Sequence, residues 1–223
     1  MERVVIIGNS GAARECYWLL QDMLAADARL RDRLSFGGFV AWRGYHPPNL
    51  CELAPFQLGS EQEYQPREED RLVIGIGDPA LRATVLRHYQ ERSCSFLNLV
   101  HPKAYVCPSA VMGVANIIQR DSTIYCNARI GNGNYLNGAV NIAHDAVIGD
   151  CNFLGPYSMV LGGASIGDGN HLGPRTLILE KQRAGSHNLC APDSVLYKGC
   201  GDHCRMAGSP AIKIGTYPDP EFS

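Results

Sequence analysis

Long apolar runs are missing: no stretch of the 223 residues reaches the roughly 18 apolar residues of a membrane helix. The amino-terminal MERVVIIG lacks the basic-then-apolar layout of a secretory leader. Charge is scarce too, at 19% of residues, and nearly balanced at a net −2. With no basic run and no interleaving of basic with aromatic residues, nucleic acid and anionic membranes are poor partners. A cytoplasmic protein is expected. The nine cysteines, Cys16, Cys51, Cys94, Cys107, Cys126, Cys151, Cys190, Cys200 and Cys204, are odd in number and scattered. That pattern favours free thiols in a reducing compartment. CGDHC at residues 200–204 sets His203 between two thiols, but no distant second ligand pair accompanies it, so no metal site is expected.

What the chain has in quantity is glycine, 24 residues, and two regions of different period. Over residues 1–100 strand and helix signals alternate: RVVIIG, a GNSG turn, helical AARECYWLLQDMLA, then LSFGGFV and DRLVIGIG. DPALRATVLRHYQER follows, with Asp at the N-cap, Pro at the first helical position and apolar residues at helical spacing. The order predicts a small parallel, Rossmann-like α/β sheet. Gly8, Asn9, Ser10 and Gly11 would offer backbone N–H groups and a helix dipole to a phosphate. Their G-x-x-G is shorter than a dinucleotide fingerprint, and a plain tight turn uses the same residues.

From residue 106 the period becomes six. Val106, Met112, Ile118, Ile124, Ile130, Leu136, Ile142, Ile148, Leu154, Val160, Ile166, Leu172 and Ile178 are all aliphatic. Four residues after nearly every one stands a small residue or asparagine, as at Ala110, Asn116, Ser122, Ala128 and Asn134. Glycine often follows the aliphatic residue directly, as at Gly113, Gly131 and Gly149. Such hexads suit a parallel β-helix in which three of them form one triangular coil. The aliphatic residue points inward and the small one shares the corner, while Gly or Asn tolerates the unusual backbone of the turn. Each buried aliphatic contributes about 1.5–3 kcal/mol before entropy, so stacking carries most of the stability.

These hexads, the closing MAGSPAIKI and the front VVIIGNSGAARE resemble the bacterial sugar O-acyltransferase and nucleotide-amino-sugar N-acetyltransferase family, which includes sialic-acid O-acetyltransferase-like proteins. The resemblance covers nearly the whole chain. It implies a left-handed β-helix, a homotrimer, and acetyl-CoA lying in the groove between adjacent helices. It divides the chain into an acceptor- or nucleotide-binding domain (1–100), an acyltransferase β-helix (101–215) and a short tail (216–223). NIAHDAVIGD matches the family's catalytic motif, which makes His144 the general base and Asp145 the group that orients it. An amine or hydroxyl attacking a thioester must lose a proton, and an imidazole suits that work near neutral pH.

On the same resemblance Asn137 contacts the acceptor sugar, with Gly8, Asn9, Ser10, Gly11 and Gly77 also on the acceptor side. Gly162, Gly163, Gly173, Ser209 and Pro210 match positions along the cofactor groove. For each of these a plain turn residue is the alternative. His101, in HPKAYV, is expected between the domains, and His171, His187 and His203 in solvated turns. The chain departs from the family where paired acidic residues should end the second strand. Ala41, Trp42 and Arg43 stand there, leaving Trp42 to stack on a base and Arg43 to meet a phosphate, or a different acceptor. Phe153 replaces a histidine nine residues after the base, and Gln182 at a small position predicts a bulge or short loop. With no cysteine at the matching active position, direct transfer to an amino sugar is expected. The alternatives are O-acetylation of a sialic-acid-like sugar and a non-catalytic scaffold.

Overall fold

A computed structural model describes residues 1–42 and 49–217, and Arg43 and most of the tail lie outside these described residues. The amino-terminal strands are β1 (Glu2–Ile7), β2 (Leu34–Ala41), β3 (Gln57–Ser60), β4 (Asp70–Ile74) and β5 (Ser95–Phe96). All pair in parallel, in the order β3-β2-β1-β4-β5, so the winding of successive strands switches sides between β1 and β4. Residues 4–7 are wholly buried because helices cover both faces. Helix α1 (Gly11–Ala26) turns Ala13, Cys16, Leu19, Leu20 and Met23 inward at helical spacing. A short α2 (Ala28–Arg33), with no expected counterpart in the sequence pattern, starts where the Asp27 carboxylate accepts the Arg29 N–H. Helix α3 (Pro79–Gln90) starts as expected, the Asp78 side chain accepting from Leu81 N at 2.9 Å.

The rest is a left-handed parallel β-helix with three faces of two-residue strands. The first face runs from Leu99–Val100 to Leu189–Cys190, the second from Tyr105–Val106 to Val195–Leu196, and the third from Val111–Met112 to Arg183–Ala184. Strands on each face pair 18 residues apart, as in Ile124↔Ile142↔Val160↔Ile178↔Leu196. Those aliphatics are fully buried, one column per face. An antiparallel hairpin, Cys204–Gly208 with Ala211–Thr216, closes the far end of the first face.

Two turn details differ from what the sequence pattern predicts. From Met112 on, the left-handed conformation falls three residues after the aliphatic, not at the glycine that follows it. It is held by Ala115, Asp121, Asn127, Gly133, Ala139, Asp145 and Cys151 in succession. The glycine directly after the aliphatic instead permits close stacking of coils. A Cβ at Gly149 would lie 2.7 Å from the Gly167 carbonyl oxygen one coil above. The bulge expected at Gln182 is also absent. Arg183 and Ala184 keep the 18-residue register, and Gln182 accepts from Gly199 N at 3.0 Å. The phase breaks later, where Cys204 N reaches Asn188 only 16 residues away.

Asparagines stack inside the corner between the third and first faces. The Oδ1 atoms of Asn116, Asn134, Asn152 and Asn170 each accept the backbone N–H of the asparagine one coil on, at 2.8–2.9 Å. Buried amides are thereby matched where no water reaches. The two domains are pinned by Arg82, which is 0% exposed. Its guanidinium donates to the Ile74 and Ile76 carbonyls of the sheet at 2.8 and 2.7 Å. It also donates to Gly133 at 2.6 Å, and to Ala115 and Asn134 in the β-helix.

Candidate active site

His144 follows the second-face strand Asn141–Ile142, at the edge where the second face turns into the third. Asp145 takes the left-handed corner position, φ 59°, a conformation that aspartate tolerates. Neighbouring coils fix that corner: Asp145 N donates to Cys126 O, and Gly163 N to His144 O, each at 3.0 Å. The side chains of the pair then meet, His144 Nδ1 lying 2.8 Å from Asp145 Oδ2. The other carboxylate oxygen accepts from Asn127 Nδ2 at 3.1 Å. Hydrogen bonds from His144 first, and Asn127 second, hold the Asp145 carboxyl below its ordinary range. An ionised Asp145 can only accept, so Nδ1 carries the proton and Nε2 presents its lone pair.

The imidazole lies over Gly162, one coil on. A Cβ at Gly162 would stand 2.7 Å from it, so only glycine leaves the imidazole its place. His144 and Asp145 are 61% and 56% exposed in the single chain. Toward the amino-terminal coils a groove of about 500 Å³ opens, lined by Ser109, Val111, Asn127, Arg129, Asp145 and Val147.

The remaining expected residues do not join this edge. Asn137 and Gly173 lie one face away, where the first face turns into the second; Gly173 is packed under Pro192. Ser209 and Pro210 form the exposed tip of the closing hairpin, beyond the Leu189–Cys190 strand. Asn137 lines a cleft of about 330 Å³ with Glu15, Trp18, Asp22, His101, Gln119 and Arg120, among others. There His101, 5% exposed, contacts Asp22 of α1 at 3.1 Å, and Tyr135 donates to Glu15 at 2.5 Å.

Gly8, Asn9, Ser10 and Gly11 form the turn from β1 into α1. Gly8 has φ 128°, with the Gly75 carbonyl oxygen 2.5 Å from where a Cβ would be. Asn9 is 3% exposed and its Oδ1 has no partner among the described residues, while the Ser10 side chain makes no capping bond. Gly77 faces Phe153 across the domain junction. Trp42 is corrected: at 3% exposure it packs edge-on to His88 and against Tyr89, with no ring face open to a base. The histidines expected in solvated turns are also more engaged. His171 packs on Phe153, where burial pushes its pKa down, and His187 stacks on His203 at 5.2 Å. Sequence reasoning missed Asn127, whose only signal is its spacing of 18 residues before Asp145.

Residues 145–180 match the family model described as bacterial transferase hexapeptide (six repeats). Comparison with curated protein sequences gives no match. Among solved structures, a variant of perosamine N-acetyltransferase from Caulobacter crescentus, in complex with CoA and GDP-perosamine, is 23% identical. It superposes with a TM-score of 0.83 over 96% of this chain and 98% of that one. The acetyltransferase domain of PglB from Neisseria gonorrhoeae, in complex with acetyl coenzyme A, is 18% identical, with a TM-score of 0.80 over 96% and 99%. WeeI from Acinetobacter baumannii is 17% identical, with a TM-score of 0.79 over 96% and 100%. This chain is thus a hexapeptide-repeat protein that shares, end to end, the two-domain fold of these acetyltransferase structures.

Proposed function

We propose that the chain is an acetyl-CoA-dependent N-acetyltransferase, acting by direct transfer on the amino group of a nucleotide-linked deoxyamino sugar. The carrying observation is the His144–Asp145 pair, bonded at 2.8 Å, with Nε2 free above Gly162. Asp145 holds the Nδ1–H tautomer. His144 Nε2 takes the proton of the acceptor nitrogen as that nitrogen bonds to the thioester carbonyl carbon. The imidazolium returns the proton to sulfur as the C–S bond breaks, giving amide and free thiol. The proton count closes without an acyl-enzyme.

The bare main chain at Gly162 and Gly163 suits the close passage of a pantetheine arm. Lys181, beside Gly163 on the same edge, offers a cation to a phosphate of CoA. The complexes of similar fold with CoA, acetyl coenzyme A and GDP-perosamine support this donor and acceptor class. For the acceptor nucleotide, the β1–α1 turn supplies open helix N–H groups and the Ser10 hydroxyl.

We propose that the chain works as a homotrimer, a reading that the openness of the edge supports. A base more than half exposed needs a second surface to exclude water. Tyr105, Tyr125, Val111, Val147 and Met159, on the two faces beside it, are exposed apolar side chains that a second copy would cover. The cleft at Asn137, brought from that copy, would complete the acceptor site. Its two carboxylates, Glu15 and Asp22, outnumber the Arg120 guanidinium, which favours an amino sugar, reacting as the neutral amine, over an acidic sialic acid.

The test is release of free thiol from acetyl-CoA with UDP-, GDP- and dTDP-amino sugars, against sialic acids. His144→Ala is expected to lower turnover by about 10² to 10⁴ while CoA binding and assembly persist. Near-normal turnover in that variant contradicts the assignment.

A further inference from the structure

We infer that Asn127 is a positioning residue for the base: its amide locks the Asp145 carboxylate that orients His144. The inference takes its functional meaning from the acetyl-transfer reading, but its geometry stands apart from it. Asn127 Nδ2 donates to Asp145 Oδ1 at 3.1 Å, while Oδ2 of the same carboxylate meets His144 Nδ1 at 2.8 Å. A carboxylate held at one oxygen pivots about its Cβ–Cγ bond. Held at both, it presents a fixed acceptor to the ring.

Asn127 is itself held from the coil before. Its backbone N–H donates to Ser109 Oγ at 3.1 Å, so Ser109, Asn127 and Asp145 form one axial column, each 18 residues from the next. The backbone does not ask for asparagine at this corner. Asn127 has φ 58°, but the same left-handed corner elsewhere holds Ala139, Asp121, Tyr157, Lys181 and Asp193. Stacked corner pairs also form without a histidine, since Arg175 and Asp193 bond one coil apart on another edge. What sets residues 127 and 145 apart is that the second carboxylate oxygen is committed to an imidazole. The depressed pKa of Asp145, with Asn127 as one cause, agrees. Arg129 in the groove and Lys181 further along the edge are the cations of this surface, and the test leaves both unchanged.

The discriminating variant is Asn127→Asp, nearly isosteric and of a type already seated in the same corner at Asp121 and Asp193. A merely structural asparagine predicts an enzyme like the parent. Positioning predicts that two carboxylates now repel, so kcat falls at least about tenfold with KM for both substrates within about twofold and thermal stability retained. Asn127→Ala falls less. Nuclear magnetic resonance reads the same effect without turnover. The Asp145 carboxyl titration moves up in both variants, and the neutral His144 ring shifts from the Nδ1–H toward the Nε2–H form. An unmoved titration and tautomer in both variants overturns the inference, as does a raised KM at unchanged kcat. If the resonance signatures move but the parent chain turns over no acetyl-CoA, positioning stands and the acetyl-transfer reading falls.

Discussion

At the residue scale, the proposed base, His144, is placed by what is missing next to it. Gly162 is not in a left-handed conformation, so its backbone alone would accept alanine. A methyl group there would stand 2.7 and 2.8 Å from Nε2 and Cε1 of His144, and the exposed imidazole, not the coil, would give way. Gly162→Ala is therefore expected to lower acetyl transfer at least about tenfold while leaving the melting temperature within about 2 °C, checked by thiol-release kinetics and thermal unfolding. His144 and Asp145 were legible in the sequence because a short motif carries both, and adjacency suffices for their contact. Trp42 was not, because whether an aromatic after a strand faces solvent depends on α3, which covers it with His88 and Tyr89. Asn127 was hidden for a related reason: its partner is 18 residues away, a distance with meaning only once the coil is known.

At the scale of elements, the β-helix uses two kinds of column. Aliphatic columns exclude water, and the asparagine column matches backbone amides that the short strands leave behind. Asn152→Ala would strand the Asn170 backbone N–H and Nδ2 in a wholly buried corner. A loss of about 1–3 kcal/mol is expected for each orphaned donor, read by denaturant unfolding. Asn141→Ala, which removes only a half-buried bond to Thr123, is expected to cost far less. The hexad period was plain in the sequence because burial demands an aliphatic at every sixth residue. The left-handed corner was not, since residues as different as Asp121, Tyr157 and Lys181 occupy it and composition carries no mark. The ladder was half legible: asparagines recur at 116, 134, 152, 170 and 188, but only stacking shows which groups they bond. Gln182 misled because its long side chain is used to reach Gly199, where the following coil is shortening.

At the scale of the molecule, the expected site residues within the coils fall on two edges of one prism. His144, Gly162 and Gly163 share one, and Asn137 and Gly173 share the other. Arg82 pins the α/β domain so that α1 and the cleft at Asn137 stay with the second edge. No bending of a rigid coil joins the two edges within a chain, whereas the proposed cyclic trimer would bring the first edge of one copy to the second edge of the next. The direct measurement is subunit complementation. His144→Ala removes the proposed base, and Asn137→Trp fills the proposed acceptor cleft, so each variant alone is expected to be inactive. In trimers assembled at random from equal amounts of the two, about a quarter of the edge pairs keep both an intact base and an intact cleft. Recovery of about a quarter of the parent acetyl-transfer rate is predicted; mixed trimers no more active than either variant alone would contradict the account.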